Sequence, residues 1–167
     1  MSSRDDEAGG ESRTRALALW ERAYRAQMRG DLDGAIRLYR ESLAVCPTAE
    51  AHTFLGWSYS FQGRIDEAIE ECRRAIAVDP DFGNPYNDIG VYLIEKQLLD
   101  DAIPWLEKAK DAARYEPRHF PFLNLGRIYA AKGHLNRALD EFRGALRIVP
   151  NDPTAQRAVE HIKLMMN

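Results

Sequence analysis

Four segments of the chain repeat one hydrophobic rhythm. An alanine (Ala35, Ala68, Ala102 or Ala138) is followed after four residues by a larger side chain, Tyr39, Cys72, Leu106 or Phe142, and after seven by a small one, Ser42, Ala75, Ala109 or Ala145. Spacings of three and four put these positions on one side of a helix, so each segment predicts an amphipathic helix whose buried stripe mixes small and large residues. The alanines recur at intervals of 33, 34 and 36 residues. Twelve residues before each stands another small residue, Ala23, Gly56, Gly90 or Gly126, inside a second apolar segment. A fixed period of this length points to stacked supersecondary units rather than a single irregular core.

Punctuation along the chain agrees with that reading. Gly30, Gly63 and Gly133 fall between the paired helical segments, where a left-handed residue ends a helix, and Gln97 takes that place in the third unit. Prolines at 47, 80, 117 and 150 close the units, because a proline cannot continue a helix interior. First helices are expected near 16–29, 49–62, 83–96 and 119–132, with second helices starting near Leu32, Ile65, Leu99 and Leu135. A ninth helix is expected over 153–166, opened by Pro153 after the N-capping Asp152 and carrying apolar residues at Ala158 and Ile162. Residues 1–14 are polar and glycine-containing and read as a disordered tail. The expected organisation is therefore a tail over 1–14, four units over 15–152 and a capping helix over 153–167.

The pattern resembles the tetratricopeptide repeat family, whose units read W-x2-L-G-x2-Y, then A-x3-F-x2-A, then P. Unit two carries Leu55, Gly56 and Tyr59, then Ala68, Cys72, Ala75 and Pro80, and unit four carries Phe122, Leu125, Gly126 and Tyr129, then Ala138, Phe142, Ala145 and Pro150. Unit three substitutes Tyr86, Ile89 and Leu93 around Gly90. Unit one departs most, with Leu19, Arg22, Ala23 and Ala26, as a terminal repeat with one face in water would. The resemblance implies an all-α, right-handed superhelical solenoid of antiparallel helix pairs, acting as a non-catalytic scaffold that holds a peptide or protein segment in its concave groove. The family's groove positions imply as partner-binding residues Trp20, Tyr24, Thr53, Trp57, Phe61, Asn87 and Arg127, with Asp88 and Asn124 beside them. Aromatic anchors tend to dominate binding energy, whereas the amides and Arg127 could bond an extended backbone or an acidic group. Packing of the rings against each other, and a solvated helix face for the polar group, are the competing accounts. The clamp with which some members hold acidic chaperone tails is largely missing, because Glu50, Thr53 and Asn84 stand where it wants other side chains.

Composition changes this picture little. The chain has 167 residues, 45% hydrophobic and 29% charged, as expected of a globular protein in water, and its net charge of −3 offers no general attraction to nucleic acid. No stretch reads as a membrane span or a signal peptide, so a cytoplasmic protein is expected. Cys46 and Cys72 lie 26 residues apart without a metal-ligand spacing, which predicts reduced thiols and no metal or cofactor. His52, His119, His134 and His161 are scattered, and no nucleophile or phosphate-loop motif accompanies them, so no enzyme is expected. Glu67, Glu70 and Glu71 read as a charged outer face answered by Arg73 and Arg74. Two rival functions remain open: a homo-oligomer stacked through Leu17, Trp20 and Tyr24, and a secretion-type chaperone holding an export substrate.

Overall fold

A computed structural model describes the backbone of residues 2–166 and the side chains of residues 9–166. The described residues fold into α-helices joined by short turns, with one isolated bridge between Phe82 and Arg114. The chain forms two compact units, 1–80 and 81–167.

The first unit contains α1 (Ser2–Met28), α2 (Leu32–Val45), α3 (Ala49–Phe61) and α4 (Ile65–Val78). α1 pairs with α2 and α3 with α4, and α2 also packs on α3. Buried alanines and Tyr39, Leu55, Tyr59 and Cys72 form its interior. The expected disordered tail is corrected here: α1 runs back to Ser2, so residues 9–14 are helical and exposed, with the Thr14 hydroxyl donating to the Gly10 carbonyl at 2.9 Å. Alanine, glutamate and arginine lose little on entering a helix, so they extend one that tertiary contacts have already nucleated. Met1 lies outside the described residues.

The second unit contains α5 (Asn84–Glu95), α6 (Leu99–Asp111), α7 (His119–Ala131), α8 (Leu135–Ile148) and α9 (Pro153–Met166). α5 pairs with α6, α7 with α8, and α9 covers α8 by burying Ala155, Val159 and Ile162. Its third-period helix stops at Asp111, well before Pro117. The intervening segment crosses to the start of the unit instead, where the Gly83 amide donates to the Arg114 carbonyl and the Arg114 amide to Asp81. The Arg118 guanidinium donates to the carbonyls of Lys110, Ala112 and Ala113, satisfying groups that the helix end leaves without partners.

The hairpin turns are alike in both units. Gly30, Gly63 and Gly133 take φ of 84°, 75° and 75°, and Gln97 takes 62° in the equivalent turn. A side chain in that region costs on the order of 1 kcal/mol, so the third hairpin holds its turn through packing rather than local preference. Asp31, Thr48 and Asp152 each accept the amide three residues on, capping α2, α3 and α9.

Candidate functional site

In the first unit, the first-helix positions bring five aromatic rings together. Trp20 and Tyr24, one turn apart on α1, stack with centroids 5.7 Å apart. Phe54 of α3 meets Trp20 edge-on at 5.3 Å, Tyr24 at 5.6 Å and Trp57 at 5.9 Å, and Trp57 meets Phe61 at 5.2 Å. These are favoured aromatic geometries. The cluster is not closed over: Tyr24 is 38% and Phe61 59% exposed, and Leu17 and Met28 flank them at 53% and 50%. Trp20 Nε1–H is covered yet has no acceptor, whereas a settled core tryptophan usually finds one.

Phe54 ties the cluster together, although the groove assignment passed over it. It occupies the sixth position of its helix, the position that Asp88 and Asn124 hold in later units, and that correspondence was a usable signal. Thr53, expected to face a partner, is instead buried, and its hydroxyl donates to the Ala49 carbonyl one turn back. Its immediate neighbour takes the outward place.

In the second unit, the polar candidates are largely committed to one another. Asn124 Nδ2 donates to Asn87 Oδ1 at 3.0 Å, and both side chains are buried, which ties α7 to α5. Expected as peptide ligands, the two amides are a buried crosslink, because an enclosed amide must pair within the fold. Arg127 stays exposed and makes no ion pair among the described residues. Asp88 is partly exposed. Loss of hydration pushes its carboxyl up from an ordinary 3.8 to about 7, only partly offset by a hydrogen bond from Asn87.

A testable pH dependence follows. With its folded pKa above the unfolded one, Asp88 binds more protons when folded, so its contribution to stability falls as pH rises from about 4 to about 7 and is flat above. The part of Asp88 left open to water makes the slope shallower than that of an enclosed acid. Asp88→Asn is expected to flatten this slope and to raise the melting temperature at pH 8 more than at pH 4. Parallel melting curves for both proteins across that range would remove the assignment.

A third arrangement corrects the reading of Glu71 as an outer-face charge. Glu71 is 6% exposed and bridges His52 Nδ1 at 2.7 Å and Arg74 at 2.7 Å, locking α3 to α4. His52 is thus a hydrogen-bonded packing residue. Beside it the Arg40 guanidinium donates to the Tyr59 hydroxyl at 2.7 Å.

Residues 16–50, 49–82 and 122–152 match models of the tetratricopeptide repeat. The type IV pilus assembly protein PilF of Pseudomonas aeruginosa is 28% identical over 127 residues, 75% of this chain and 50% of that protein. The mitochondrial import receptor subunit TOM70 of Rattus norvegicus is 23% identical over 140 residues, 83% of this chain and 23% of that protein. The chain thus spans half the length or less of these curated relatives. Among solved structures, Pseudomonas aeruginosa PilF superposes with a TM-score of 0.85 at 25% identity, covering 94% of this chain and 70% of that one. The pilus biogenesis factor PilW gives 0.80 at 20% identity, over 90% of this chain and 69% of that one. YrrB, described as having an unusual peptide-binding site, gives 0.68 at 20% identity over 90% and 77%. No helix among the described residues is long and apolar enough to cross a membrane.

Proposed function

Since the chain belongs to the tetratricopeptide repeat family, we propose that it is a non-catalytic interaction scaffold that seats a peptide segment of a partner protein on the aromatic surface of α1 and α3. The observation that carries this reading is the half-open ring cluster of Trp20, Tyr24, Phe54, Trp57 and Phe61. A purely structural cluster would be expected to close, since exposed aromatic area forgoes about 25 cal/mol for every Å² left in water. Rigid rings on paired helices also lose little conformational entropy when a partner covers them. An apolar or aromatic side chain on the partner fits the surface between Tyr24 and Phe61. The likeness to PilF makes type IV pilus assembly the first process in which to seek that partner.

The test is a peptide selected by display against the intact chain and measured by calorimetry. Trp57→Ala is expected to weaken binding tenfold or more, on the order of 2 kcal/mol for a buried aromatic anchor, with the helical circular dichroism retained. Unchanged affinity would move the site off this surface. Self-association is the rival use of the same rings. Sedimentation that shows a dimer of the unmodified chain and a monomer of Trp57→Ala would favour that rival.

A further inference from the structure

We propose that the first unit carries a second recognition site, an arginine-lined depression between α1 and α2 that binds an acidic peptide segment through its carboxylates. The depression has a volume of about 390 Å³ and is lined by Arg22 and Arg25 from α1, Arg29 from the turn that follows it and Arg37 from α2, with Asp31 the one carboxylate in its wall. Arg22, Arg25 and Arg29 follow a spacing of three and four residues, which gathers the first two on one side of α1 and sets the third beside them at its C-terminal end. Trp20, Tyr24 and Met28 follow a spacing of four on a different side, so this site is separate from the aromatic surface and goes beyond the function proposed for it.

The charges here are not used by the fold. All four arginines are exposed, and Arg22, Arg29 and Arg37 have no ion pair or hydrogen bond among the described side chains. Arg25 makes only loose exposed contacts with Glu21, an ion pair at 3.5 Å and a hydrogen bond from its Nε to the Glu21 carbonyl at 3.4 Å. Asp31 is already committed, its Oδ1 accepting the Gly34 amide at 2.9 Å to cap α2. Four arginines therefore border one depression whose single carboxylate is already engaged, in a chain whose net charge is −3. Like charges so placed repel one another unless an anion joins them.

The shape of the charge favours carboxylates on a peptide. Arginine presents a planar fork that pairs bidentately with a carboxylate, and several forks around one open depression suit two or more acidic side chains close in sequence. Leu38 in the wall offers an apolar surface to their aliphatic stems. A nucleic-acid backbone fits poorly, because Glu21 flanks the α1 arginines and Asp33 and Glu41 border Arg37 on its other side, interrupting any longer track of positive charge.

Fluorescein-labelled hexaglutamate, followed by fluorescence anisotropy against the full chain in low salt, tests the proposal. Saturable, salt-sensitive binding is expected, weakened at least tenfold by Arg29→Gln with Arg37→Gln, and likewise by Arg22→Gln with Arg25→Gln, each with unchanged melting. Arg29→Lys with Arg37→Lys should recover part of the affinity, since charge returns without the fork. Trp57→Ala should bind hexaglutamate as the unmodified chain does. The proposal is overturned by absence of saturable binding, by affinity equal to that of the unmodified chain in both glutamine variants or by loss of binding in Trp57→Ala. Inorganic phosphate or a single-stranded oligonucleotide competing as well as the unlabelled peptide would also overturn it, pointing to a small-anion or nucleic-acid site.

Discussion

Phe142→Ala is expected to destabilise the second unit by about 3–5 kcal/mol, the usual cost of emptying an aromatic core site. Phe142 is 3% exposed and sits in a cluster with Leu123, Leu139, Val159 and Ile162, so it joins α7, α8 and α9 at one point. Its ring also fills the space opposite Gly126: a Cβ there would lie 2.8 Å from two of its ring carbons. The helices meet around this ring, and neighbours anchored on three helices cannot collapse into the void it would leave. Urea unfolding should show a lower midpoint, with Phe120→Ala, 44% exposed, as the control within about 0.5 kcal/mol of the unmodified chain. If the two substitutions cost the same, the ring does not hold these helices together.

Gly56→Val is expected to cost about 3 kcal/mol in the first unit, for the opposite reason, overfilling. A Cβ at Gly56 would stand 2.9 Å from the Ala68 carbonyl oxygen, 3.4 Å from Glu71 Cβ and 3.5 Å from Cys72 Sγ. The first of these is backbone of α4 and cannot change rotamer, so α3 must move away from α4. That movement would also stretch the contact of Glu71 with His52, which spans the same helix pair. Gly56→Ala is milder, because about 1 kcal/mol of helix propensity regained offsets part of the crowding. The step from alanine to valine is therefore the informative one. A valine tolerated as well as alanine, by thermal melting, would mean that the two helices are not in close contact there.

These two sites also separate what could be read along the chain from what could not. The small residues Gly56 and Gly126 and the large residue Phe142 stand out in the repeat, because close helix approach demands them at a fixed spacing whatever the surroundings. The turns at Gly30, Gly63 and Gly133 are legible for a related reason: a left-handed residue is a local requirement of the backbone. Thr53 and Phe54 were harder, since adjacent positions on a helix differ by about 100° and only the neighbouring helix decides which one is covered. Asn87 and Asn124 lie 37 residues apart and pair only because α5 and α7 pack together.

The sequence by itself determined the repeat, its helix pairs, its turns and the stripe each helix buries, because these follow from backbone geometry and the periodicity of apolar side chains over a few turns. Only the tertiary structure decided which polar and aromatic groups remain free. It spent Asn87, Asn124 and Glu71 inside the fold, left Tyr24 and Phe61 half in water, and brought Arg37 of α2 to the arginines of α1. Pairing, burial and charge surplus depend on what a distant segment presents, and a one-dimensional pattern does not carry that information.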